Sequence, residues 1–236
     1  MKNLKKNDLL IPFFAVLAVL AGFLRRGLYA AALDEKGLLT RGHPLAVALW
    51  VLVLAGAALA VAAAAKGVSL RSPAAMAGNS FMAVTLVLMA LYCALPLPRA
   101  AVLVWKVLGF LAAPALVWAG ISRRKGDVPF FGSYAAMCLF LLIFLVTRYQ
   151  LWSSNPQLQD YVFDLLALVG LVLLSYYRAA ASIGMGKPRL HTALSLLTVL
   201  LCGAAFYGAQ FSALPVAGLV WAATDHPAKE DGHDPA

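Results

Sequence analysis

PLAVALWVLVLAGAALAVAAAA, residues 44–65, contains neither a charged nor a polar side chain. As a helix rising 1.5 Å per residue it would be about 33 Å long, close to the roughly 30 Å hydrocarbon core of a bilayer. The same signature recurs along the chain. A window of about 19 residues places further apolar spans at 9–32, 78–95, 100–121, 129–147, 156–177 and 191–211. The separators are short and carry helix breakers: Gly42-His43-Pro44, Ser72-Pro73, Pro96-Leu97-Pro98, Gly126-Asp127 with Pro129, Ser153-Ser154-Asn155-Pro156, and Gly184 through Pro188. Helices joined so tightly are antiparallel neighbours. The expected fold is therefore all-α, a polytopic bundle of seven membrane-spanning helices forming one domain over residues 1–224.

Composition agrees: 63% of the residues are hydrophobic and 12% charged, with a mean hydropathy of +0.84. A water-soluble fold has no interior large enough for that much apolar surface. The stretch 212–223 is too short for a full crossing and reads as a short eighth segment, either an extension of helix seven kinked at Pro215 or an interfacial piece. Beyond it, residues 225–236 read as a polar, disordered tail. Its Asp225, His226, Glu230, Asp231, His233 and Asp234 are of metal-ligating types but have no fixed spacing, and no metal site is expected. Lys2, Lys5 and Lys6 before an apolar run resemble a signal peptide. Arg25-Arg26 ahead of the small residues Ala30-Ala31-Ala32 argues for retention of the first helix.

Of the 19 Lys and Arg residues, eleven fall on the amino-terminal side of alternate loops, seven on the other, and Lys106 lies inside a helix. Positive residues favour the cytoplasmic side, so a multi-pass protein of the cell membrane is predicted with its amino terminus inside and, after seven crossings, its carboxyl terminus outside. The formal charge of +9 is accounted for by basic residues at helix ends, facing lipid headgroups. No basic face with interleaved aromatics points to nucleic acid. Cys93, Cys138 and Cys202 stand singly in three helices and read as packing residues. The chain has no GxxxxGK[ST], GxGxxG, GxSxG or HExxH pattern, and the seventh helix has no lysine for a retinal Schiff base. No cofactor is expected.

Polarity inside the apolar spans is the main functional signal, because an ionisable group at depth costs several kcal/mol and usually has a partner or a purpose. Lys106 lies about 9 Å into helix four by helical rise. Asp160 and Asp164 share one face of helix six at i, i+4 spacing. Arg148 and Trp152 close helix five on the same side, and Arg25, Arg26 and Gln210 fall at helix ends there. These eight residues outline a polar pocket open to the outside, in which Lys106 would neutralise Asp164 and Arg148 would neutralise Asp160. The structural reading of the same residues is a set of interhelical salt bridges and snorkelling side chains. Asn155-Pro156 with Asp160 also reads as a capped helix start. The loop around His43 and the lone His191 read as structural or solvated.

The stretches 148–161 (RYQLWSSNPQLQDY), Tyr177-Arg178-Ala179-Ala180, Gly184-Met185-Gly186, Lys36-Gly37-Leu38-Leu39 and Gly42-His43-Pro44 resemble a group of polytopic integral membrane proteins from anaerobic Gram-positive bacteria. No activity is assigned to that group, so the resemblance implies a bacterial multi-pass membrane protein and carries over no function. It adds weight to the helix five to six junction as a site.

Three function classes fit the residues. One is binding or transport of a small amphipathic or anionic ligand, such as a lipid, through the outward pocket. Another is a membrane sensor or accessory subunit acting through a membrane protein partner. The third is an intramembrane lipid-modifying enzyme using Asp160 and Asp164 as an acid/base pair; without a nucleophile or metal triad it is the least supported. The lipid bilayer is the one partner common to all three.

Overall fold

The computed structural model describes residues 9–32, 42–68, 70, 72–153, 161–207 and 213–226, the side chain of Trp152 excepted. Seven long helices, α1 (Leu10–Ala32), α2 (Pro44–Ala65), α3 (Ala75–Tyr92), α4 (Arg99–Lys125), α5 (Phe131–Ser153), α6 (Val162–Ser182) and α7 (Pro188–Ala205), are followed by a short α8 (Ala213–Thr224). All seven long helices are long and apolar enough to cross a membrane. The protein is an all-α, multi-pass membrane bundle in contact with the lipid bilayer.

Helix ends follow local chemistry. Pro44 takes the first turn of α2, and His43 Nδ1 accepts the Leu45 amide at 3.3 Å, so this histidine is a helix cap. The spans at 100–121 and 156–177 grow at their carboxyl ends. In α4 the added residues include Arg123, Arg124 and Lys125, good helix formers that complement the negative end of the dipole but lower a hydropathy average. Gly126, at φ +86°, then ends the helix in the left-handed conformation that a side chain would resist. The proposed cap at Asn155 and the candidate residues Asp160 and Gln210 lie outside the described residues.

Helices α3, α4, α5, α6, α7 and α8 pack in that order, and α8 meets α3, closing a ring; α1 and α2 pack on α7 from outside it. Small residues make the closest approaches. Gly203 of α7 lies against Ala18 of α1, and a Cβ on Gly120 of α4 would sit 2.9 Å from the Met76 Cα of α3. Trp105 of α4 stacks on Phe140 of α5 at 4.5 Å between ring centroids and donates from Nε1 to the Phe140 carbonyl at 3.2 Å.

The end of the bundle where α1 begins, which is also where α7 begins, is termed proximal; the opposite end is distal. The short α8 is neither an extension of α7 nor an interfacial piece. It runs antiparallel to α7, with Gly218 against Cys202 and His226 against His191, and it returns the chain toward the proximal end. At Asp225 and His226, the last described residues, the chain stands at the end where α1 starts. Both residues are fully buried, so they belong to the bundle rather than to a polar tail. Hydropathy overlooked this return because α8 has only 12 residues, about 18 Å of helix.

Candidate functional site

Six helix ends converge on Asp225 at the proximal end. Its Oδ1 accepts from Asn79 Nδ2 of α3 at 2.7 Å and lies 4.0 Å from Arg123 Nε of α4. Its Oδ2 accepts from the Tyr134 hydroxyl of α5 at 2.8 Å and lies 2.7 Å from Arg178 Nη1 of α6. Arg178 Nε donates in turn to His191 Nε2 of α7 at 3.4 Å. Trp221 of α8 completes the set: its Nε1 donates to Asn79 Oδ1 at 3.1 Å, and its ring lies 4.0 Å from the Arg178 guanidinium carbon. The Asn79 amide is thereby oriented, its oxygen toward the indole and its nitrogen toward the carboxylate and the Ala75 carbonyl at 2.8 Å.

Asp225 and Arg178 are each 0% exposed, a burial that costs several kcal/mol per ion unless both charges are paired. For Asp225, which lies beyond the end of α8, burial pushes the carboxyl pKa up. The Arg178 and Arg123 cations and the hydrogen bonds from Asn79 and Tyr134 outweigh that and hold it below the usual carboxylate range. For His226 the balance goes the other way. Its ring meets His191 edge-on at 5.2 Å, and neither of its ring nitrogens has a hydrogen-bond partner among the described residues. Burial first, then Arg178 and Arg123, hold its pKa well below the ordinary value, so it is neutral near pH 7.

A cavity of about 260 Å³ adjoins this network. Arg123 enters it from α4; Lys187, Pro188, His191 and Thr192 enter from the start of α7; Tyr177 comes from the last turns of α6 and Gly184 from the turn that follows. That turn is tied down by the Tyr177 hydroxyl, which donates to the Lys187 carbonyl, and the start of α7 by Thr192 Oγ1, which donates to the Val68 carbonyl at 2.8 Å. Arg123 and Arg178 both face the Asp225 carboxylate, and Arg123 and Lys187 both line the cavity. Among the described residues no group of three or more His, Cys, Asp or Glu could hold a metal ion.

The distal end is built differently from the expected pocket. Asp164 is buried, 3% exposed, and is held by Arg25, itself 2% exposed, through Nη1–Oδ1 at 2.9 Å and Nη2–Oδ2 at 3.2 Å. Arg25 Nη1 also donates to the Ala204 carbonyl at 2.9 Å, and its guanidinium lies 5.7 Å from the Tyr29 and Phe163 rings. The partner of Asp164 is thus Arg25 rather than Lys106. The cause is packing order: α5 separates α4 from α6, while α7 brings α1 and α6 together. Lys106 is half-buried, with no hydrogen bond or ion pair to any described residue. Arg26 is exposed and donates to the Tyr207 hydroxyl at 2.9 Å. Arg148 lies 5.1 Å from the Phe144 ring and 3.7 Å from Cys93 Sγ. Its proposed partner Asp160 and the Trp152 side chain are outside the description.

The proximal network drew on residues that sequence reasoning passed over. Asn79, Tyr134 and Trp221 lie within apolar helices, Arg178 and His191 at their ends, and Asp225 and His226 in the assumed tail. One signal was present: Arg178 follows Asp164 by fourteen residues, nearly four helical turns, so the face that buries Asp164 also turns Arg178 inward.

Fold and site together define a multi-pass helical membrane protein with a buried ion-pair network at each end of its bundle. Comparison with known protein families, curated proteins and solved structures found no match to the chain.

Proposed function

We propose that this protein is a membrane-embedded binding protein for a small anionic ligand, taken up in the proximal cavity rather than at the distal end. The observation that carries this reading is the cavity itself: Arg123 and Lys187 line it from two helix ends, with His191 and Thr192 beside them. Cationic side chains gathered around one opening attract an anion. The bidentate commitment of Asp164 to Arg25 favours binding over intramembrane catalysis, because a carboxylate held by both oxygens is not poised for proton transfer. Lysine and arginine crowd the proximal loops, which supports a cytoplasmic proximal end.

Native mass spectrometry of the gently solubilised protein tests the reading. An anionic adduct is expected on the wild type and absent from a folded Arg123→Gln/Lys187→Gln variant. An adduct equally retained by that variant, or none on either protein, would contradict it.

A further inference from the structure

We infer that an anionic phospholipid docks in the distal half of the bundle, one acyl chain in an apolar groove between α1 and α8 and its headgroup on Arg26. This site is separate from the proximal cavity. The groove follows from helix packing: α1 and α8 both lie against α7 but scarcely touch each other, which leaves a space of about 270 Å³ between them. Its floor is made by the close approach of α1 and α7, where a Cβ on Gly22 would stand 3.1 Å from the Gly203 carbonyl oxygen. Val19 and Phe23 of α1, Phe206 and Tyr207 just past α7, and Val216 and Leu219 of α8 form its walls. Among the described residues no charged side chain lines it. Its length suits one acyl chain. Arg26 stands eight residues beyond Ala18, which lies at the inner end of the groove on α1. By helical rise that is about 12 Å, close to the roughly 15 Å of hydrocarbon in one leaflet.

Charge identifies the headgroup. Val19, Phe23 and Arg26 follow one another at spacings of four and three residues, so they share one face of α1, with Arg26 at the distal mouth of the groove. Tyr207, a wall residue, holds it there: Arg26 Nη1 donates to the Tyr207 hydroxyl at 2.9 Å, and the guanidinium lies 5.3 Å from the ring centroid. Arg25 turns inward to Asp164, whereas Arg26 is exposed and pairs with no carboxylate among the described residues. The Tyr207 hydroxyl accepts from Arg26, and its own hydrogen has no acceptor among the described residues. A guanidinium and a phenol thus present donors side by side above an acyl-lined slot, the arrangement that a phosphate with a chain beneath it would complete. A second copy of this chain docked symmetrically through the same groove would instead bring two Arg26 cations into one interface.

Lipid competition tests the inference. The full chain, purified in detergent and stripped of lipid, is mixed with equal amounts of phosphatidylglycerol and phosphatidylcholine of matched acyl chains. Retained lipid is read by native mass spectrometry, where its mass separates it from any small anion. The wild type is expected to hold one phosphatidylglycerol in about fivefold preference over phosphatidylcholine. Arg26→Gln should abolish the preference, and Val19→Trp, which fills the groove, should lower retention of both lipids. Lys106→Gln, which removes a cation outside the groove, should change neither. Arg26 and Val19 are both exposed, so their variants are expected to fold with thermal midpoints near that of the wild type. Equal retention of the two lipids by the wild type, or a preference that survives Arg26→Gln, would overturn the proposal. So would a folded wild type that holds no lipid, or a dimer that Val19→Trp dissociates, which would give the groove to a second copy. None of these outcomes bears on the proximal cavity.

Discussion

Arg178 Nη1 and Asp225 Oδ2 lie 2.7 Å apart, both side chains wholly buried, and this ion pair fastens α6 to the end of α8. Removing one partner leaves the other charged and unpaired in a poorly solvated site, at a cost of about 3–5 kcal/mol. Asp225→Asn and Arg178→Leu are each expected to lower the thermal midpoint sharply in a detergent where the wild type is stable. Arg178→Leu/Asp225→Asn together should lose less than the two single effects combined. Additive losses would mean that the two side chains do not meet.

Arg25 and Asp164 form the corresponding pair at the distal end, whereas Lys106 makes no ion pair with any described residue. Asp164→Ala and Arg25→Ala are expected to destabilise the protein by several kcal/mol, and Lys106→Ala to leave its thermal midpoint nearly unchanged. A Lys106→Ala loss matching that of Asp164→Ala would restore the pairing that the sequence first suggested.

Close helix contacts leave no room at particular glycines. A Cβ on Gly120 would lie 2.9 Å from the Met76 Cα, and backbone cannot rotate aside. Gly120→Ala is therefore expected to cost about 1–3 kcal/mol as α3 and α4 are pushed apart. Gly27→Ala is the control: there the nearest atom is Leu45 Cδ1 at 3.7 Å, and the exchange should be neutral or stabilising. Thermal midpoints of the two variants, measured side by side, check the contrast.

Acid should loosen the proximal end. The His226 pKa is depressed by burial and by Arg178 and Arg123, so the unfolded chain binds its proton at higher pH than the folded one. The resulting stability is fully present above the ordinary histidine value of about 6.5 and lost as pH falls below it. Asp225, held below its ordinary range, contributes stability that disappears only at still lower pH. The thermal midpoint is expected to fall between about pH 7 and 5. Replacing His226 with Phe should flatten that fall, with His191, Arg178, Arg123 and Asp225 retained as its neighbours. An unchanged pH profile in the variant would remove His226 from the account.

The seven long spans were legible because each places some twenty apolar residues between strong breakers, and a bilayer admits little else. Polarity at depth was legible too: Asp164 and Arg25 were both singled out, and both are buried. Which partner each would find was not, because Arg25 and Asp164 are 139 residues apart and meet only through the packing of α1 and α6 around α7. The proximal network was harder still. Its central carboxylate follows a helix of 12 residues, below any spanning window, and sits where acidic and small residues resemble a solvated tail. Asn79 and Tyr134 are ordinary residues in their own helices, and only the ring closure by α8 gives them a common partner.

Electron cryomicroscopy of the protein in lipid nanodiscs, with inorganic phosphate present as a probe anion, tests the central claim most directly. The account expects Asp225 buried against Arg178, Asn79 and Tyr134 at the end of the bundle where α1 begins, with ligand density bounded by Arg123, Lys187 and His191. An empty cavity under these conditions, or Asp225 emerging into solvent at the opposite end, would contradict it.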